Sequence, residues 1–280
     1  MKALSLTKIT FLTTFLFLLL GCGNDDLPQV ETLQGFRVLG IVANTPEVAA
    51  AGGNVTLDLL VSDVNGGGRT ISGSWRACPD PGIALGAEPS CAGVSGATAA
   101  TSISLDFSTL GAPYTDVYGT SYTVNVPSTI LDSANTIQQT NGKGYVVVFR
   151  FTVDGREVRI FKTIIVSNRT TKNQNPADPT IRLNGGALSG LPVVNDALTI
   201  NNLTDEETYQ AFYSNGTLAT LTESYEVAWY VSSKAKLSAG KVAEGDSVKF
   251  ETAPEGGPFV AVAVVRDERG GISFSKVDIP

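Results

Sequence analysis

The chain has 280 residues, 42% hydrophobic and 17% charged, with 29 Gly, 3 Cys, no His and a formal net charge of −7. Its apolar content supports a packed core and excludes a disordered chain, and its length allows one or two domains. Without histidine there is no Ser-His-Asp or Cys-His relay, no His-ligated zinc or haem and no histidine pH switch, and the negative charge opposes non-specific binding to nucleic acid.

Lys2 and Lys8 precede an apolar run from Ile9 to Leu20, which stops at Gly21-Cys22 ahead of the polar Gly23-Asn24-Asp25-Asp26. Spanning a bilayer takes about 20 apolar residues, so this run reads as a secretory signal rather than a transmembrane helix. Leu19-Leu20-Gly21-Cys22 resembles the bacterial lipobox. The resemblance implies removal of residues 1–21 as a signal peptide and acylation of Cys22, a palmitate-type anchor that makes the chain a membrane lipoprotein. Each buried CH₂ contributes about 0.8 kcal/mol, so two or three acyl chains hold stably. Gly23 stands where an Asp favours inner-membrane retention in the family, which implies the outer membrane. Cleavage removes two lysines and no acid, moving the charge to −9. Residues 22–34 are expected to be a lipidated tether.

Cys78 and Cys91 then remain as an even pair in an exported chain and are expected to form a disulfide across a turn-rich loop. Closing so short a loop contributes roughly 3 kcal/mol. A metal or redox pair is the alternative, but the spacing is far from C-x-x-C and no histidine can join.

Period-two patterning dominates the body. Phe36–Val42 and Asn54–Val61 read as half-buried strands. The clearest hairpin is Gly144–Val153, Asp154-Gly155, Arg156–Val166, because Asp-Gly tolerates the positive φ of a type I′ turn. It places Tyr145, Val147, Phe149, Phe151 and Val153 on one core face. A second late hairpin runs from Phe259–Val265 through Asp267–Gly271 to Ile272–Ile279. Each follows a Trp-bearing strand, Trp75 in the first half and Trp229 in the second. Polar, proline-bearing residues 168–179 read as a linker between two β-sandwich domains, 35–167 with an insertion and 180–280.

A strand with one buried Trp followed by a late hairpin opening on Gly-Tyr or Gly-Phe resembles immunoglobulin-like sandwiches, including PKD-type and cadherin-like modules. The antibody-type cysteine pair is missing, since Cys78 and Cys91 close a local loop. Together with the lipobox, the pattern is similar to two-sandwich envelope lipoproteins of Gram-negative bacteria. The expected fold is therefore all-β, with two tandem immunoglobulin-like sandwiches.

Two segments break the strand period. Residues 128–138 place Ile130, Leu131, Ala134 and Ile137 on one helical face behind Pro127. Thr204-Asp205-Glu206-Glu207 resembles a capping box opening a helix that Asn215-Gly216 would end. Between 79 and 126 the chain is too long for one loop, so extra strands are expected at 102–107 and 122–126.

For calcium, the candidate ligands are Asp205, Glu206, Glu207, Asp267, Glu268 and Asp178, yet no EF-hand or cadherin-type spacing is present, and the alternative is solvated charge. Paired carboxylates would serve a glycoside hydrolase, but no nucleophile elbow, S-x-x-K pair or phosphate loop appears. Tyr209, Phe212 and Tyr213, with Tyr114, Tyr118 and Tyr122, are candidate carbohydrate platforms, weighed against satellite core. No residue is assigned to catalysis, a cofactor or a metal. The expected role is a non-catalytic envelope lipoprotein that binds or scaffolds, with a membrane contact through Cys22 and a protein or glycan partner. Its first contact surfaces are the Cys78–Cys91 excursion and the Thr204–Gly216 segment. The alternatives are a structural spacer or complex subunit, then a carboxylate-dependent hydrolase. A binder should expose an apolar or aromatic patch, a spacer should have a stiff joint, and an enzyme should have acids converging in a cleft.

Overall fold

Residues 30–82, 89–117, 121–203 and 206–280 are described by the computed structural model, and their regular structure is almost entirely β. One sheet joins β1 (Arg37–Ala43), β3 (Gly53–Ser62), β6 (Thr115–Val117) and β7 (Tyr122–Val126). A second has the order β2-β9-β8-β4-β5, from β2 (Glu47–Ala49), β4 (Thr70–Pro79), β5 (Thr101–Asp106), β8 (Lys143–Val153) and β9 (Arg156–Ser167). Alternation explains their packing. Val55, Leu57, Leu59 and Val61 of β3 meet Tyr145, Val147, Phe149 and Phe151 of β8 in one buried cluster. The β8–β9 hairpin has the expected register, Val153 opposite Arg156, with φ of 50° at Asp154 and 74° at Gly155.

The remaining strands follow residue 179. β10 (Thr180–Leu183), β11 (Gly186–Ala187), β12 (Ala197–Asn201), β16 (Lys236–Leu237) and β18 (Val248–Thr252) form one sheet. It packs on β15 (Tyr225–Val231), β17 (Lys241–Ala243), β19 (Phe259–Asp267) and β20 (Ile272–Ile279). Trp229, Phe250 and Phe259 fill the space between them. A two-stranded ribbon, β13 (Thr208–Phe212) with β14 (Leu218–Thr222), stands apart from both sheets. Trp229 is 1% exposed, whereas Trp75 is only partly buried and packs on the edge of the first core.

β19 is buried on both faces. Phe259, Ala261, Ala263 and Val265 enter the second core, while Val260, Val262 and Val264 pack with Leu39 of β1 and Leu60 of β3. The two sheet pairs thus share an apolar seam. Leu33 belongs to it, and Leu33 N–H donates to the Val231 carbonyl at 2.7 Å. Residues 31–33, which the polar sequence suggests are tether, are docked on β15 through this pairing. The rest of the tether expectation, residues 22–29, lies outside the described residues, as do the signal peptide and Cys22.

Both helix expectations change. Residues 128–131 form a 3-10 turn and the α-helix, α1, comes later, at Thr136–Asn141. Asn135 caps α1, accepting from the Gln138 N–H at 2.9 Å while Gln138 Oε1 accepts from the Asn135 N–H. After residue 207 the chain forms the β13–β14 ribbon, not a helix, because Asn215-Gly216 closes a hairpin turn, with Gly216 at φ 81°. Thr204 and Asp205 lie outside the described residues. Cys78 and Cys91 are disulfide-bonded, Cα atoms 5.6 Å apart, and pack with Val146 and Val148 on the face of β8 away from the core. Among the described residues no helix is long and apolar enough to cross a membrane.

Candidate functional site

Glu47 begins β2, which runs parallel to β9, and is fully buried. A buried carboxylate needs donors on every side. Its oxygens accept from the Ser167 hydroxyl, the Asn173 N–H at 3.0 Å, Arg269 at 2.5 Å and Arg169 at 3.3 Å. Burial alone would raise its pKa. The hydrogen bonds from Ser167, Arg269 and Asn173 and the charge of Arg169 outweigh burial and hold it below the ordinary carboxylate range.

Arg269 sits in the β19–β20 turn, where Asp267 accepts from the backbone N–H groups of Arg269 at 2.8 Å and Gly271 at 2.7 Å. Asp267 also accepts from the Asn173 side chain at 3.1 Å. With its backbone fixed, Arg269 spreads its fork between Glu47 and Glu223, the latter at 3.1 Å, with Glu207 at 3.5 Å. Its guanidinium lies 4.6 Å from the Tyr209 ring centroid, and that of Arg169 lies 5.3 Å away. Arg169 also donates to the Gln210 carbonyl and the Asn141 carbonyl, both at 3.0 Å. Burial and the charges of Asp267 and Glu207 push Glu223 up to about 7 against the pull of Arg269. Lys162 reaches from β9 to the Gly270 carbonyl, and burial brings it down to about 8 despite the charge of Asp267.

These residues make a polar joint beside the apolar seam. Surface depressions flank it. One, of about 420 Å³, lies where Asn168, Thr170, Thr171, Thr208, Gln210 and Thr220 converge. Another, of about 300 Å³, runs between β1 and β9 past Ile41, Ile160 and Phe161.

Glu207 and Asp267 thus meet, but around an arginine. Glu268 instead accepts from the Ser224 hydroxyl at 2.6 Å. Among the described residues no group of three acids or cysteines is placed to hold a metal ion. Tyr122 is buried against Phe149 and Tyr114 packs on the same core, Tyr118 lies outside the described residues, and Tyr213 is 51% exposed beside the ribbon turn. The Thr204–Gly216 segment borders the depression of about 420 Å³ through Thr208, Tyr209 and Gln210. Glu47, Arg169, Asn173 and Arg269 were not legible as a site. Glu47 follows Pro46 in a short turn region, and the linker looked solvated because nothing in its composition distinguishes a buried Asn173 from an exposed one.

The sheets and joint define an all-β sandwich protein. No protein-family model and no curated protein matches the chain. Among solved structures it is similar to red sea bream transglutaminase, at 9% identity and a TM-score of 0.29 over 88% of this chain and 31% of that one. It is also similar to the BSP domain of a biofilm associated protein, at 10% identity and 0.29 over 92% and 62%. A 1.5-MDa bacterial ice-binding adhesin gives 12% identity and 0.24 over 88% and 64%. The chain therefore spans less than two thirds of the length of each, and likenesses at these scores carry no functional argument.

Proposed function

We propose that the chain is a non-catalytic lipoprotein of a bacterial envelope, acylated at Cys22 and held at the outer membrane, whose two immunoglobulin-like sandwiches form one rigid binding or scaffolding module. The observation that carries this reading is the joint. A continuous apolar seam and a buried Glu47–Arg269–Glu223 network fix the two sheet pairs to each other, as a frame that holds partners in place requires. At the joint Glu47 is matched to Arg169 and Arg269, and Asp267 to backbone N–H groups, as in a structural network. The same rigidity favours the spacer reading, and the exposed loop residues Leu191, Val193 and Val194 favour binding.

The test is metabolic labelling with palmitate, followed by affinity recovery of the acylated chain from its own envelope beside a Cys22→Ala control. Label in the parent and not in the control, with one protein recovered reproducibly, is the expected result. Enrichment of glycan would make the module an adhesin. Absence of label from the parent would remove the anchor.

A further inference from the structure

The β13–β14 ribbon has two edges with different fates. Tyr213 N–H donates to the Thr217 carbonyl and Glu223 N–H to the Glu207 carbonyl, at 2.9 and 3.0 Å, which fixes which residues bond across the ribbon. By strict alternation Tyr209 and Ala211 bond inward, to Leu221 and Ala219, and the backbone groups of Gln210 and Phe212 point outward from β13. That outer edge is occupied. Asn141 donates to the Phe212 carbonyl at 2.8 Å and accepts from the Phe212 N–H at 2.7 Å, and Arg169 takes the Gln210 carbonyl. On β14 the outward residues are Leu218, Thr220 and Thr222. Among the described residues none of their backbone N–H or carbonyl groups has a partner within the chain.

We propose that this β14 edge pairs with the β14 edge of a second copy, antiparallel about a two-fold axis at Thr220, to make a four-stranded sheet across a homodimer. A lone two-stranded ribbon is marginal in water, and an unprotected edge invites another strand. Of the other edge strands, β5 ends on Asp106, β17 carries Lys241 and β20 carries Lys276 and Asp278, while the uncharged β7 is anchored in a four-stranded sheet rather than a lone ribbon. β14, Leu218-Ala-Thr-Leu-Thr222, has no charge, no proline and no bulge. A chain of net charge −7 repels its own copies, so a neutral strand is where two can approach. The spacing is self-complementary. With Thr220 facing Thr220, each Leu218 meets Thr222 of the second copy, and the three outward residues exchange about six hydrogen bonds. Pairing five residues a side buries less than a standard interface of about 1,600 Å², so the dimer is reversible and concentration-dependent.

The register makes the test specific. The full-length chain with Thr220→Cys, purified in detergent and mildly oxidised, should give a covalent dimer, since facing residues of a hydrogen-bonded pair lie about 5.5 Å apart at Cα, within disulfide reach. Leu218→Cys should not, because its partner is Thr222 of the second copy, while Leu218→Cys with Thr222→Cys should. Thr220→Lys, which keeps a strand-compatible backbone but sets two cations face to face, should shift the parent from dimer to monomer in light scattering. The proposal is overturned if Thr220→Cys crosslinks no faster than the parent, which retains Cys22, or if Leu218→Cys alone crosslinks equally well. A chain that stays monomeric up to millimolar concentration likewise overturns it and leaves the edge to a strand of another protein.

Discussion

At Glu47 four donors surround one carboxylate, and two of them are arginines, of which Arg269 also pairs with Glu223. Removing one partner of a buried ion pair costs about 3–5 kcal/mol, because the other is left charged and dry. Glu47→Ala should therefore lower the stability of the chain by about that amount in urea denaturation, with little change in secondary structure by circular dichroism. Glu223 has the opposite relation to its surroundings. Its pKa in the fold, about 7, is above the ordinary 4.5, so the folded chain holds a proton there that the unfolded chain gives up. Its contribution is complete below pH 4.5 and is lost as pH rises toward 7, a fall on the order of 3 kcal/mol. Glu223→Gln, which keeps an acceptor for Arg269, should flatten stability over that window. Lys162, brought down to about 8, acts in the other direction and only above pH 8, so it does not disturb the comparison.

The elements differ in how far the sequence discloses them. β8 and β9 were legible because alternation, the Asp154-Gly155 turn and the facing apolar residues agree. The run Phe259–Val265 read as a strand, but its loss of alternation carries a further meaning: β19 has the apolar seam on one face and the second core on the other. The ribbon was misread because Thr204–Glu207 offers a capping box and Asn215-Gly216 terminates a helix as readily as it turns a hairpin. What decides is remote. Asn141, at the end of α1, takes both backbone groups of Phe212 and so holds β13 as a strand. Asn141→Ala should release that edge, seen as at least tenfold faster hydrogen exchange at the Phe212 amide while the β8–β9 amides keep their protection.

For the molecule as a whole, the sequence marks two runs of strands with a polar stretch between them, and the coupling of those runs is what composition conceals. Asn173 and Arg169 lie in that stretch and serve the joint, while Leu60 and Val262 make the seam from strand positions that a lone sandwich would leave in water. The two sheet pairs should consequently unfold in a single calorimetric transition. Val262→Asp, a charge placed in the seam, should split it into two.

Glu47 and Arg269 stand 222 residues apart in the chain. As the chain emerges from its N-terminus, the first sandwich has all its strands, and Arg169 beside Glu47, before the turn that brings Arg269 exists. A pair closed over so long a stretch of chain is expected to form late, so that its strength weighs on the rate of opening rather than the rate of closing. In stopped-flow measurements Glu47→Ala should leave the folding limb near that of the parent and raise the unfolding limb. The β19–β20 turn then acts as a clasp: a chain cut short before Arg269 leaves Glu47 with Arg169 as its remaining cation, and a chain that reaches Arg269 is slow to come apart.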